Sequence, residues 1–421
     1  MKRNIRARAL ALLLLLALAS VGIAGCNGRG PEELPARTGS DGTSGETGTQ
    51  APQDPPAPEM TAYALNSNTP GIRILGERFL PSERQINCDW TCSGIEMNVE
   101  ASGGNMIFTA RVSAPFNASC YFRAYVDGEP WKNTDGSVYF PVSTAFTPVV
   151  LQNLPAGTHT VRLIKVTGYT LARAELTEVK FAGRILEPAP DAQALYVEFI
   201  GDSICCGWGT IGGYAGEWTD QDGTLAYPYL VASALGADWS ITALSGQGLL
   251  KGTPGTLAGY QYASPLRSTG EVWSFSRKAD ITVINIGTND ASLNQPKEFR
   301  ERYEQLLRQI SAENPGGKII CIYNTMNDNY SDVILALCAD AGGEAAGIYT
   351  LRFDRAPCDE GHPTNHPSAQ EHEKEAEALL AFLRETMENP VTAIPFAPRE
   401  SGGLTVQDCG TGILLRWGET P

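Results

Sequence analysis

The sequence predicts an α/β domain, a mostly parallel sheet covered by helices on both faces, preceded by an all-β sandwich of jelly-roll type. Three observations carry that reading. Between about residues 70 and 185, the segments GIEMNVEA, MIFTARVS, YFRAYVDGE and THTVRLIKV alternate apolar and polar residues, and no helical period of comparable length intervenes. A period of two marks strands with one buried face, so an antiparallel sandwich around one core follows. From about residue 190, apolar strand-like runs take turns with segments of helical period. That alternation implies parallel strands with crossover helices on both sides. Length is compatible with both: 421 residues at 42% apolar composition can build two domains of ordinary size plus extra segments.

Taken in order, the chain opens on Lys2, Arg3, Arg6 and Arg8, then a leucine-dominated run over residues 9–19, then small residues up to Cys26. This is the layout of a secretory signal over residues 1–26, too short to read as a membrane-spanning helix. The tetrapeptide IAGC, residues 23–26, resembles the lipobox of bacterial lipoproteins. That resemblance implies that Cys26 becomes the lipid-bearing first residue and holds the protein on the outer face of the cell membrane. Residues 27–65 are rich in Gly, Pro, Thr, Ser and Glu. They bury too little surface to offset chain entropy and read as a flexible tether.

The sandwich is assigned to residues 66–187, with turns expected at Asp127 and Gly128 and at Ala156 and Gly157. The α/β domain is assigned to residues 188–388. Its strands are LYVEFI, WSITAL, ADITVINIG, KIICIYN and GIYTLRF; its helices are YPYLVASALG, KEFRERYEQLLRQISA, SDVILALCADAG and EHEKEAEALLAFLRET. Residues 389–421 form an extension of unassigned role. Within it GGLTVQDC and GILLRW look strand-like, as an appended hairpin or as strands packed on the α/β domain.

Net charge is −15, and removing the four basic signal residues leaves −19. Nucleic-acid binding needs clustered Lys and Arg, so that class is excluded. Of ten cysteines, nine remain once Cys26 is set aside, and an odd count leaves at least one free thiol. Cys88 and Cys92 are spaced to close a short loop. The cysteine and histidine spacing lacks the paired clusters of a zinc site. No metal or organic cofactor is expected, and the protein is expected to be a monomer.

In parallel α/β sheets, ligands bind beyond the C-terminal ends of the strands. Four strings lie at such positions: GDS at 201–203, SGQG at 245–248, NIGTND at 285–290, and NHPSAQEH at 365–372 ahead of the last helix. Ester cleavage through serine needs a nucleophile, a base and donors for the developing oxyanion. Ser203 supplies the nucleophile. Its own N–H, the N–H of Gly246 and the side-chain amide of Asn289 supply an oxyanion hole. Glycine at 246 is expected because it lets a backbone N–H approach the reacting oxygen closely. The base is a histidine followed by proline, His362 or His366; prolines 363 and 367 disfavour a helix that would align both rings on a metal. Trp208 is placed to stack on a sugar ring or to pack in the core. Cys205 and Cys206 read as small buried apolar residues.

Together, GDS, a glycine after the second strand, GTND after the third and a late His-Pro resemble the SGNH (GDSL-type) hydrolases. The strings GDSICCGWG, YPYLVASALGA, SGQGL and VINIGTND, with CSGIEMNVEA in the sandwich, are similar to carbohydrate esterase family 2. Members of that family join a jelly roll to an SGNH domain of three α/β/α layers. His366 is favoured by the resemblance, because His372 follows at the spacing of a second histidine often found in this family's last helix. One departure stands out. Many SGNH enzymes carry an aspartate two or three residues before the histidine, where this chain has Thr364 and Pro363. The imidazole is then oriented by a backbone carbonyl, as in a Ser-His dyad, or by Asp359, Glu360 or Asp354. The resemblance implies a serine esterase that removes O-acetyl groups from plant-type polysaccharides or oligosaccharides. Its alternatives are an esterase of lipid or cell-wall acetyl esters and a non-catalytic carbohydrate-binding lipoprotein.

Overall fold

A computed structural model describes residues 58–113, 119–212, 218–252, 259–265, 271–354, 366–396, 404–408 and 413–417. Cys26, Asp359, Glu360 and His362 lie outside these residues. By its contacts the chain divides into Met1–Pro58 and Glu59–Pro421; everything below concerns the second unit.

Alternating apolar residues build its first half. Strands β1 (Thr61–Ala64), β2 (Ile72–Leu75), β3 (Ile86–Cys88), β4 (Ser93–Val112), β5 (Cys120–Val126), β6 (Glu129–Pro130), β7 (Phe140–Val142), β8 (Thr147–Lys165), β9 (Ala174–Phe181) and β10 (Gly183–Ile185) form one antiparallel ten-stranded network. It runs in the order β1-β9-β4-β8-β5-β6, with β2 and β10 also on β4, β3 on β9 and β7 on β5. The two segments expected as separate strands, GIEMNVEA and MIFTARVS, are halves of the single 20-residue β4. Its register against β8 shifts between Gly104 and Met106. Ile95, Met97 and Val99 enter the core before the shift, and Met106, Phe108 and Ala110 after it. The extra residue at that shift lies in β8, where Leu151 to Leu154 spans three steps against two in β4. In β4 itself the buried parity changes across Gly103 and Gly104, both at positive φ, and both halves face the same core.

Of the two expected turns, Asp127 and Gly128 form one, with φ of 53° and 90° between β5 and β6. Ala156 and Gly157 do not; they lie inside β8, paired with Ser102 and Ala101. A long partner strand gives their backbone ladder bonds that a turn would forgo. The expected loop closure by Cys88 and Cys92 is likewise corrected. Both are free thiols, Cys88 in the sandwich core and Cys92 in the core of the α/β half.

The second half is a five-stranded parallel sheet of β11 (Tyr196–Gly201), β12 (Asp238–Ala243), β13 (Ile281–Asn285), β14 (Lys318–Tyr323) and β15 (Ile348–Arg352), ordered β12-β11-β13-β14-β15. Helices α1 (Tyr227–Leu235) and α4 (Ala369–Thr386) pack with Val197, Phe199, Ile281 and Val283 on one face. Helices α2 (Pro296–Glu313) and α3 (Ser331–Asp340) pack with Ile200 and Ile284 on the other. The three-layer α/β/α arrangement follows from strands buried on both sides. Strands β16 (Leu404–Asp408) and β17 (Ile413–Trp417) pair antiparallel, as the hairpin reading expected.

The two halves share material at their junction. Leu75, Cys92, Ile164 and Val166 of the sandwich belong to the same apolar cluster as β11, β12 and α1. Arg78 crosses the junction fully buried. Its Nη2 and Nε donate to Glu198 Oε1 on β11 at 2.6 and 3.1 Å, and Tyr260 donates to Glu198 Oε2 at 2.8 Å. The guanidinium lies over the rings of Tyr260 and Phe275, 4.5 and 4.8 Å from their centres.

Removing one partner of such a pair leaves the other charge buried and unpaired, at a cost of about 3–5 kcal/mol. Arg78→Ala is expected to lower unfolding stability by about that amount in a urea titration. A loss below about 1 kcal/mol would show that the junction does not depend on the pair.

Candidate active site

Strand β11 ends at Gly201, and the chain turns at once. Asp202 Oδ1 accepts the N–H of Ile204 at 3.0 Å. The turn is closed by Cys206 N–H on Asp202 O and Trp208 N–H on Ser203 O, at 3.2 and 3.1 Å. Ser203 therefore stands just past the C-terminal end of β11, an interior strand of the sheet, and is 7% exposed. From the far end of the sequence, His366 is brought to it by the start of α4. Ser368 caps that helix, accepting the N–H of Glu371 and donating to the Glu371 carboxylate, a capping box that fixes where the helix begins. Two residues earlier, His366 Nε2 lies 2.8 Å from Ser203 Oγ.

Asn289 lies in the 3-10 turn Thr288–Leu293, just past β13. Its Nδ2 donates to Asp202 Oδ2 at 3.0 Å and to the carbonyl of Gln247 at 2.8 Å. One amide thus joins the turns after β11, β12 and β13. Gly246 follows β12 with φ of 79°, and a Cβ built there would meet no atom within 4 Å. The left-handed backbone here favours glycine, and among the described residues no atom crowds the position.

Trp208 is half-buried beside the pair, its ring centre 6.2 Å from that of His366, and its backbone bridges to Gln221. Asp354 is exposed beyond β15. His159 belongs to the sandwich, bonded to Asp127 at 2.8 Å. His372 is fully buried in α4, with Nδ1 2.9 Å from Glu375 and its ring near Tyr227. Cys205 and Cys206 are buried, and burial pushes the Cys206 thiol up to about 12 and that of Cys205 well above its usual value. Neither thiol is available for thiolate chemistry at neutral pH.

Two carboxylates were missed by sequence reasoning as parts of the site. Asp202 is fully buried, and its pKa rises to about 7, foremost because burial disfavours the charge, with nearby Asp290 adding to the rise. The Ile204 N–H and the Asn289 amide pull it partly back. Asp290, also fully buried, accepts the N–H groups of Leu249, Leu250 and Lys251 at 2.8, 2.9 and 2.9 Å. Both acids sit inside the strings GDS and GTND, so the sequence signal was an acid next to a candidate donor or nucleophile.

This geometry defines a class. Residues 199–385 match the GDSL-like Lipase/Acylhydrolase family, and the α/β half is a domain of that SGNH type. More particularly, the chain is similar to family 2 carbohydrate esterases. Cellulase/esterase CelE of Acetivibrio thermocellus is 27% identical over 338 residues, covering 76% of this chain. The chain spans 40% of the length of that relative. The acetylxylan esterase / glucomannan deacetylase of Cellvibrio japonicus is 26% identical over 363 residues, 77% of this chain and 93% of that protein. A solved family two carbohydrate esterase from Clostridium thermocellum, in complex with cellohexaose, superposes with a TM-score of 0.66 at 27% identity, covering 75% of this chain and 98% of that one.

The raised pKa of Asp202 has a stability consequence. Between about pH 4 and 7 the folded chain holds a proton that the unfolded chain releases, so this residue makes stability fall as pH rises through that window. Asp202→Asn is expected to lessen that fall. Urea unfolding at about pH 5 and about pH 8, on both proteins, measures it; an unchanged difference between the two pH values would contradict the assignment.

Proposed function

We propose that this protein is a serine esterase that removes O-acetyl groups from polysaccharides or oligosaccharides through an acetyl-enzyme intermediate. The observation that carries the reading is the 2.8 Å contact of His366 Nε2 with Ser203 Oγ at the strand end. His366 takes the Ser203 proton as the oxygen attacks the acetyl carbonyl. The tetrahedral oxyanion is held by the N–H groups of Ser203 and Gly246 and by the Asn289 amide, neutral donors that stabilise the charge where it forms. Both hydrogens of that amide already have acceptors in Asp202 and Gln247. The oxyanion replaces the Gln247 carbonyl, because the bond to a carboxylate is the stronger of the two. Collapse breaks the ester C–O bond, His366 returns its proton to the departing sugar hydroxyl, and the acetyl group stays on Ser203. Water, deprotonated by His366, then attacks the acetyl-serine and releases acetate.

The substrate class rests on the relatives, one an acetylxylan esterase / glucomannan deacetylase and one solved with cellohexaose. Trp208 offers a ring beside His366 against which a sugar face can stack. Export and anchoring rest on the signal and the IAGC tetrapeptide: Cys26 carries the lipid, and the segment between it and β1 tethers the esterase to the outer face of the membrane. The tether expected over 27–65 ends earlier, because Thr61–Ala64 pair with β9 and Leu65 is in the sandwich core. Acetylated plant-type polysaccharide and the membrane are its partners. The protein works as a monomer, with no cofactor.

Acetate release from acetylated xylan and glucomannan tests the reading. Ser203→Ala and His366→Ala are each expected to lose at least about a thousandfold in rate. Activity retained in His366→Ala would pass the base to His362, and activity retained in Ser203→Ala would remove the serine mechanism. In Asn289→Ala, kcat is expected to fall by about a hundredfold or more; a kcat within about threefold of wild type would remove Asn289 from the oxyanion hole.

A further inference from the structure

The two donors that complete the oxyanion hole beyond Ser203 come from different strand ends, and a single buried carboxylate ties the loop after β12 to the turn after β13. Asp290 directly follows Asn289 in the chain, yet its side chain reaches into the loop that carries Gly246. Oδ2 accepts the N–H of Leu249 at 2.8 Å, and Oδ1 accepts those of Leu250 and Lys251 at 2.9 Å each. Three successive N–H groups aimed at one centre form a concavity suited to an anion, filled here by the chain's own side chain. Gly248 makes the fit possible. A Cβ at that position would lie 2.2 Å from Asp290 Oδ1 and 2.5 Å from both Cγ and Oδ2.

The loop is held from its other side as well. Without substrate, Gln247 O accepts from Asn289; the N–H of Gly248 donates to Lys251 O at 2.8 Å, a bond that stays when the oxyanion takes the place of the Gln247 carbonyl. Asp290 is itself fixed, its N–H on Gly287 O at 3.1 Å and its carbonyl accepting from the Tyr330 hydroxyl at 3.0 Å. A displacement of Asp290 therefore moves the Gly246 loop relative to Asn289.

We propose that Asp290 is a positioning residue of the esterase, setting the Gly246 N–H and the Asn289 amide at the spacing one oxyanion requires. This rests on the function proposed above. Donors aimed at a transition-state charge act through their placement, so the loss should appear in turnover and not in substrate capture. A purely structural clamp would instead reduce stability and leave the folded fraction fully active.

The test compares Asp290→Asn and Gly248→Ala with wild type. Asparagine keeps the size but turns an NH2 toward N–H donors; alanine presses on the same carboxylate from the loop side. Each is assayed for kcat and KM on p-nitrophenyl acetate, for affinity toward a boronic acid that forms a tetrahedral adduct with Ser203, and for thermal unfolding. In protein folded at the assay temperature, kcat is expected to fall by about 10–100-fold with KM within about twofold, and boronate affinity to fall in parallel. Full kcat in either folded variant overturns the proposal, as does a loss confined to KM with boronate affinity intact. If Asp290→Asn does not fold, Gly248→Ala decides by the same criteria. A wild type that hydrolyses no acetyl ester overturns the esterase reading and this proposal with it; an active wild type with equally active variants overturns this proposal alone.

Discussion

A buried ion pair, Arg78 with Glu198, joins the sandwich to the strand that ends at Ser203. Glu198 sits in the middle of β11, between β12 and β13, on the strand that delivers Ser203. A carboxylate in that setting is tolerated when a cation and hydrogen-bond donors surround it, and here the cation arrives from the sandwich, 120 residues earlier in the chain. A similar pair crosses the junction between Arg123 and Asp222, and Asp89, paired with Arg173 within the sandwich, also accepts from Ser264 of the α/β half. Asp222 also receives the Tyr139 hydroxyl and directly follows Gln221, the bridge partner of Trp208. The sandwich thus holds the strand that ends at Ser203 and the segment that presents the Trp208 ring.

The chemistry of the site follows from where charge is permitted. Beneath Ser203 lie two buried acids, Asp202 and Asp290, each saturated by N–H donors. The groups proposed to face the reacting oxygen are neutral: two backbone N–H groups and one amide. Placing the negative side chains behind the donors, and not beside the oxyanion, orients those donors without opposing the charge that develops. His366 is set by a different device, the capping box of α4, which decides the residue at which the helix starts and so the reach of the imidazole.

Much of this was legible in the sequence, and the reasons differ by element. The strands and helices of the α/β half were readable because each carries a strong period and a clear stop, such as Gly236 in the left-handed conformation after α1. The strings GDS, SGQG, GTND and NHP pointed to one place because parallel strands end on one side. Where the reading fell short, the cause was tertiary. GIEMNVEA and MIFTARVS read as separate segments, yet the 19-residue β8 pairs with β4 along both, through a register shift. Cys88 and Cys92 are close in sequence but face different cores. Arg78 lies outside any periodic segment, so nothing local announces its partner. Asp290 was passed over beside Asn289, because its three N–H partners lie about 40 residues away.

If Ser203 is an activated nucleophile, a covalent serine trap will label it. The mature protein would be treated with a fluorophosphonate, digested, and its labelled peptide sequenced by mass spectrometry. The structure leads us to expect one phosphonyl group on Ser203, loss of acetate release in step with labelling, protection by acetylated oligosaccharide, and no labelling of His366→Ala. Acetate release that persists after Ser203 is fully labelled, or a label carried by another residue, would contradict it.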